Sequence, residues 1–152
     1  MSSTLLTELR SLLIANGIGR DPRVVGALPP VWRQPRQGIP APGEGSGVEV
    51  GASSVIALFL SGGFPSNPFE GFMGRPTVDV RIRSLKAPDA EAIGLSIKRL
   101  LDDKRYYMMG NLRVHESLLS RPLSLIVSDD QGFDYIMAFA FTTRDAEVAA
   151  LP

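Results

Sequence analysis

Cysteine is absent from this sequence of 152 residues, and histidine occurs once, at His115. The first absence excludes disulfides and thiolate metal sites. The second speaks against a zinc or di-iron centre, which draws on several imidazoles or a matching ligand set. Net charge is also missing: sixteen basic and sixteen acidic residues cancel, so there is no global field to draw in nucleic acid or an anionic membrane. A neutral chain does have a tendency to associate. No apolar run approaches the roughly 18 residues of a membrane span; residues 55–60, for one, have the length of a strand. The first residues lack the basic, apolar and cleavage-site succession of a signal peptide. What remains is 44% hydrophobic, enough for one core and too much for a disordered chain. The expectation is one soluble domain over residues 1–152, with no metal, no cofactor and no membrane partner.

Leu5, Leu6, Leu9, Leu12 and Leu13 share one face of a helix predicted over residues 3–16. Asn16-Gly17 stops it, because both residues tolerate the left-handed conformation that closes helices. Residues 18–26 read as a short turn or strand. An apolar run at residues 54–60 predicts a strand covered on both faces, ended by Ser61-Gly62-Gly63. Residues 77–83 alternate, with Val78, Val80 and Ile82 against Asp79, Arg81 and Arg83. Pro88 opens a helix over residues 89–103, since proline suits a first turn; its buried stripe is Ile93, Ile97, Leu100 and Leu101. Strands are predicted at 111–116 and, after Pro122, at 123–127. Asp129-Asp130-Gln131-Gly132 signals a hairpin. In the final strand, 133–143, Phe133, Tyr135, Met137, Phe139 and Phe141 share a face. This order predicts an α+β fold: one mostly antiparallel sheet of about four to five strands, helices packed on one face, and long Pro/Gly-rich loops.

Two segments read as loops. Residues 28–51 carry Pro29, Pro30, Pro35, Pro40 and Pro42 among five glycines, which removes backbone donors and raises the entropy cost of order. Residues 61–76 place Phe64, Phe69 and Phe72 among prolines and glycines. Such aromatics either fold back on the core or reach a partner. Residues 145–152 read as a tail.

No catalytic constellation emerges, so an enzyme is not expected. His115, beside Glu116, has no positioned nucleophile or carboxylate in the pattern and reads as structural. Asp129-Asp130 lacks the further oxygen ligands of a calcium loop. The glycine clusters lack the ending of a phosphate loop and the dinucleotide fingerprint. Arg33 and Arg36 flank Trp32, and Arg81 and Arg83 alternate with Asp79. Basic side chains around an aromatic suit either nucleic-acid backbone or ion pairs between proteins; zero net charge favours the second, or plain solvation.

The run RPTVDVRIRSLKAPDAEAIGLSIKRLLDD, followed by LRVHESLLSRPLSLIVSDDQGFDYIMAFAFTTR, resembles the tail terminator and minor capsid proteins of long-tailed bacteriophages. The likeness covers roughly residues 55–144 and lies in the order of elements and the residue pattern. It implies a structural virion protein, made in the host cytoplasm, that forms a homo-hexameric ring. Such a ring caps the head-proximal end of the tail tube, halts its polymerisation and docks to the neck or connector. DNA passes through its channel without specific binding, and the partners are the tube protein and a neck protein. Within that expectation Trp32, Phe64, Phe69 and Phe72 are the candidate anchors. Arg33 and Arg36 lie beside the first of them, and Asp79, Arg81 and Arg83 form pairs between subunits or face the channel. The alternatives are a head-completion or tail-tube protein, or a small α+β binding module with a pocket around Trp32, Phe64 and Phe72.

Overall fold

The computed structural model describes residues 2–24, 26–33, 54–64, 73–129 and 132–145. Helix α1 (Ser2–Ala15) is followed by β1 (Val31–Arg33), β2 (Ser54–Phe64), β3 (Met73–Ser84), helix α2 (Ala87–Leu101), β4 (Lys104–Met109), β5 (Leu112–Asp129) and β6 (Gly132–Asp145). The six strands form one sheet in the order β1-β2-β3-β6-β5-β4. The fold is α+β, but the sheet is mixed and has six strands. The expectation of a mostly antiparallel sheet of four to five is corrected by a parallel β1–β2 pair and by the extra strand β4.

Alternation builds the core. Val78, Val80 and Ile82 of β3 lie opposite Phe139, Met137 and Tyr135 of β6 and Leu60, Leu58 and Ile56 of β2. Both helices bury their stripes on that face, joining these residues in one cluster through Leu5, Leu6, Leu9 and Leu13 of α1 and Ala90, Ile97 and Leu101 of α2. Ile93 and Leu100, predicted as buried, are only partly so. Gly94 takes a place in the stripe, where an added Cβ would come within 2.7 Å of Leu123. The helix therefore approaches β5 more closely than a larger residue would allow.

The end of α1 matches its sequence signal. Gly17 adopts φ +72°, Ile18 N–H donates to the Leu13 carbonyl at 3.0 Å, and Gly17 N–H donates to that of Ile14 at 3.1 Å. This is the doubly bonded left-handed stop that Asn-Gly favours.

Three loop readings are corrected. First, β1 lies inside the segment read as irregular over 28–51. Ile56 N–H donates to the Pro30 carbonyl and Val31 N–H to that of Arg20, which lays three residues beside β2 despite the flanking prolines. Buried Arg20 holds the turn that makes this possible, donating from Nε to the Leu28 carbonyl at 2.8 Å and from Nη1 to that of Val24. Second, Ser61-Gly62-Gly63 does not end β2. The ladder with β3 resumes after a bulge, pairing Gly62, Gly63 and Phe64 with Thr77, Pro76 and Arg75, so cross-strand bonding outweighs the weak strand propensity of glycine. Third, the two strands predicted at 111–116 and 123–127 are one strand, β5. Pro122 is accommodated where the register with β6 slips, between Arg121 and Ser124, the kind of position a strand proline occupies.

Candidate assembly surface

The sheet face away from the helices carries four of the residues picked out from sequence, Trp32, Asp79, Arg81 and Arg83. Trp32 lies in a row with Ala57, Arg81, Ile136 and Ser124, and Arg83 in a row with Val55, Asp134 and Val127. Asp134 is nearly fully buried and accepts from both arginines, at 2.7 Å from Arg81 Nη2 and 3.3 Å from Arg83 Nη2. The two arginine side chains remain about a quarter exposed, at 27% and 25%. Burying the carboxylate is tolerable because two cations share it, and removing it would take that partner from both. Asp79 occupies the next row, between Phe59 and Ala138.

Arg33 points the other way. Its row contains Leu58, Val80 and Met137, and its Nη1 donates to Thr7 Oγ1 on α1. Trp32 and Arg33 are thus on opposite faces, as strand geometry requires of neighbours. Trp32 is partly exposed, and its buried Nε1 has no hydrogen-bond partner among the described residues. Phe64 is the last residue of β2. Arg36, Phe69 and Phe72 lie outside the described residues.

A feature the sequence reading passed over sits at the other side of the sheet. Of the ten large apolar side chains exposed among the described residues, six are in β4 and β5: Tyr106, Met108, Leu118, Leu125, Ile126 and Val127. Tyr106 is 81% exposed and holds φ +54° inside a strand, a costly backbone for a bulky residue. Its ring meets that of His115 edge-on, with centroids 6.0 Å apart. Leu125, Ile126 and Val127 are consecutive and each is 44–50% exposed. The available signal was the run of uncharged residues from Pro122 to Ser128, which a strand on a solvated edge seldom has.

Hydrogen bonds fix this edge to the core. Tyr107 Oη donates to Ser117 Oγ at 2.8 Å, and Ser117 Oγ donates to the Leu101 carbonyl at 2.5 Å, tying β4, β5 and the end of α2 together. Burial pushes the Tyr107 phenol up, opposed by its bond to Ser117. Asp102, just past α2, accepts from Leu119 N–H at 2.9 Å. Beyond Leu119, no strand among the described residues pairs with the outer side of β5.

Concave features are modest. A groove of about 590 Å3 lies between the end of α1 and α2, lined by Asn16, Ile18, Pro29, Ile93, Arg99 and Leu100 among others. A smaller one, about 250 Å3, separates α2 from β5. Trp32 lines neither. Among the described residues no group of three His, Asp or Glu gathers as a metal site, and no helix is long and apolar enough to cross a membrane. No protein-family model matches the chain, and no curated protein matches it.

Proposed function

We propose that this chain is a structural virion protein, a tail terminator that assembles into a homo-oligomeric ring at the head-proximal end of a bacteriophage tail tube. The observation that carries this reading is the concentration of exposed apolar side chains on one margin of the sheet, in β4 and the outer part of β5. A margin of that kind is the mark of a surface meant for another protein. The element order, strand, helix, then long closing strands, is the order that the resemblance implies. Of the candidate contacts on the far sheet face, Trp32, Asp79, Arg81 and Arg83, the two arginines share the carboxylate of Asp134, which offsets part of their charge. That face therefore offers shape and a little charge to a partner without a strong field toward DNA, which suits a channel that DNA passes without specific binding. Ring, tube protein and neck protein would each meet a different margin, since closed rings are built from heterologous contacts.

Negative-stain imaging of the purified protein tests this. The expected result is discrete rings with an open centre, near six subunits, that do not stack. Long stacked tubes would make the chain a tube protein, and monomers alone would favour a binding module.

A further inference from the structure

Zero net charge hides one uncompensated cluster. Exposed Arg33 of β1 donates from Nη1 to Thr7 Oγ1 on α1. Arg10 lies three residues beyond Thr7, on the same side of the helix. The fold therefore sets Arg10 and Arg33 beside each other at the β1 margin of the sheet. Burial lowers the Arg10 pKa, and the like charges of Arg33 and Arg23 lower it further, against the opposing pull of Asp21. Asp21 is itself engaged by Arg23 at 3.1 Å. Where arginines crowd elsewhere they have carboxylates: Arg81 and Arg83 share Asp134, and Arg105 meets Glu116. Among the described residues neither Arg10 nor Arg33 pairs with one.

The turn between α1 and β1 adds a buried cation. Arg20 is 6% exposed, its acceptors are the carbonyls of Leu28, Asp21 and Val24, and its Nη2 has no partner among the described residues. Neutral carbonyls hold a guanidinium without cancelling its charge, which arginine does not give up. The sequence continues the bias: no acidic residue occurs from 22 to 43, a stretch that holds Arg23, Arg33 and Arg36. Like charges held side by side repel until an anion comes between them. The planar fork of arginine matches phosphate in two bonds at once. The cluster is open, since Arg10, Arg23 and Arg33 line neither groove described above, so it suits an extended polyanion rather than a small enclosed one. An acidic protein would want an apolar patch inside the ring of charge. Six of the ten exposed large apolar side chains gather instead on β4 and β5, and only Val24 and Leu28 lie in this part of the chain.

We infer that Arg10, Arg23 and Arg33 form an open contact for the phosphate backbone of nucleic acid, independent of base sequence. Trp32, on the opposite face of β1, is not part of it, so the contact positions the strand without reading bases. This goes beyond the ring reading and does not rest on it.

Fluorescence anisotropy of a labelled DNA duplex across a salt series tests it. Three neutralised phosphates predict that the logarithm of the binding constant falls against that of salt with a slope of about −2.7 per contacting copy, and replacing both Arg10 and Arg33 by Gln should bring it to about −0.9. Lys98→Gln, on α2, should leave the slope unchanged. Arg33→Gln also touches the tie to Thr7, so Arg23→Gln is the second variant: its side chain is 85% exposed, and the slope should shrink by about 0.9 with an unchanged urea midpoint. Absence of DNA binding at low salt, or a slope that none of the arginine substitutions moves, overturns the inference. A labelled polyglutamate of equal charge that binds as tightly as the duplex also overturns it, and would make the cluster a dock for an acidic protein. Native mass spectrometry of the same samples keeps the two readings apart. Rings that ignore DNA end this inference and leave the ring; a monomer that binds DNA through these arginines does the reverse.

Discussion

Gly132 opens β6 with φ +115°, and a Cβ there would stand 2.3 Å from the Ser84 carbonyl oxygen. Gly132→Ala therefore meets both an unfavourable backbone and a main-chain clash. The expected cost is on the order of 2–3 kcal/mol in urea unfolding; a change below about 0.5 kcal/mol, the range of ordinary surface substitutions, would contradict the geometry. Asp21 offers a pH test. Its carboxylate accepts from Arg23 side chain and backbone, which lowers its pKa from 3.8 to about 2. A depressed folded value means the interaction contributes fully above 3.8 and is lost as pH falls toward 2. Carboxyl chemical shifts followed by NMR should place the Asp21 midpoint near 2; a midpoint at the ordinary 3.8 would show that the pair does not form in solution. At this scale the sequence revealed faces but not partners. The shared face of Phe133 to Phe141 was legible from alternation, whereas the pairing of Asp134 with Arg81 and Arg83 was not, because those residues are 53 and 51 positions away.

Elements were legible where period and stop signal agree. Helix α1, with its leucine stripe and Asn16-Gly17 stop, falls within a residue of its predicted bounds, and α2 is shifted by about one turn's half, beginning at Ala87. Ile97, fully buried in α2, should cost roughly 2–5 kcal/mol when cut to alanine; a negligible shift of the urea midpoint would contradict its place in the core. Strand β4 was missed because Lys104, Arg105, Tyr106 and Tyr107 show no clean alternation. Gly110-Asn111 was nevertheless a usable signal: Met109 pairs with Leu112 across it, and Gly110 holds φ +62°, as a two-residue hairpin with a positive first position requires. Strand β1 left no such trace, since its placement depends on backbone bonds to Arg20 and β2 rather than on its own composition.

For the whole molecule, the distribution of charge matters more than its sum. The zero net charge is visible in the sequence, but only the strand order reveals that the uncharged runs 54–64 and 122–128 lie in β2 and β5, on opposite sides of the central β3–β6 pair. The anchors expected at Phe69 and Phe72 lie outside the described residues, so the proposed assembly surface rests on the exposed apolar margin of β4 and β5 and on the Trp32 face. Native mass spectrometry of the wild-type protein over a concentration series tests the central claim most directly. The account predicts a single closed species of fixed subunit number, near six, that dissociates on dilution without intermediate polymers. A strict monomer at all concentrations, or a ladder of masses growing without limit, would contradict it.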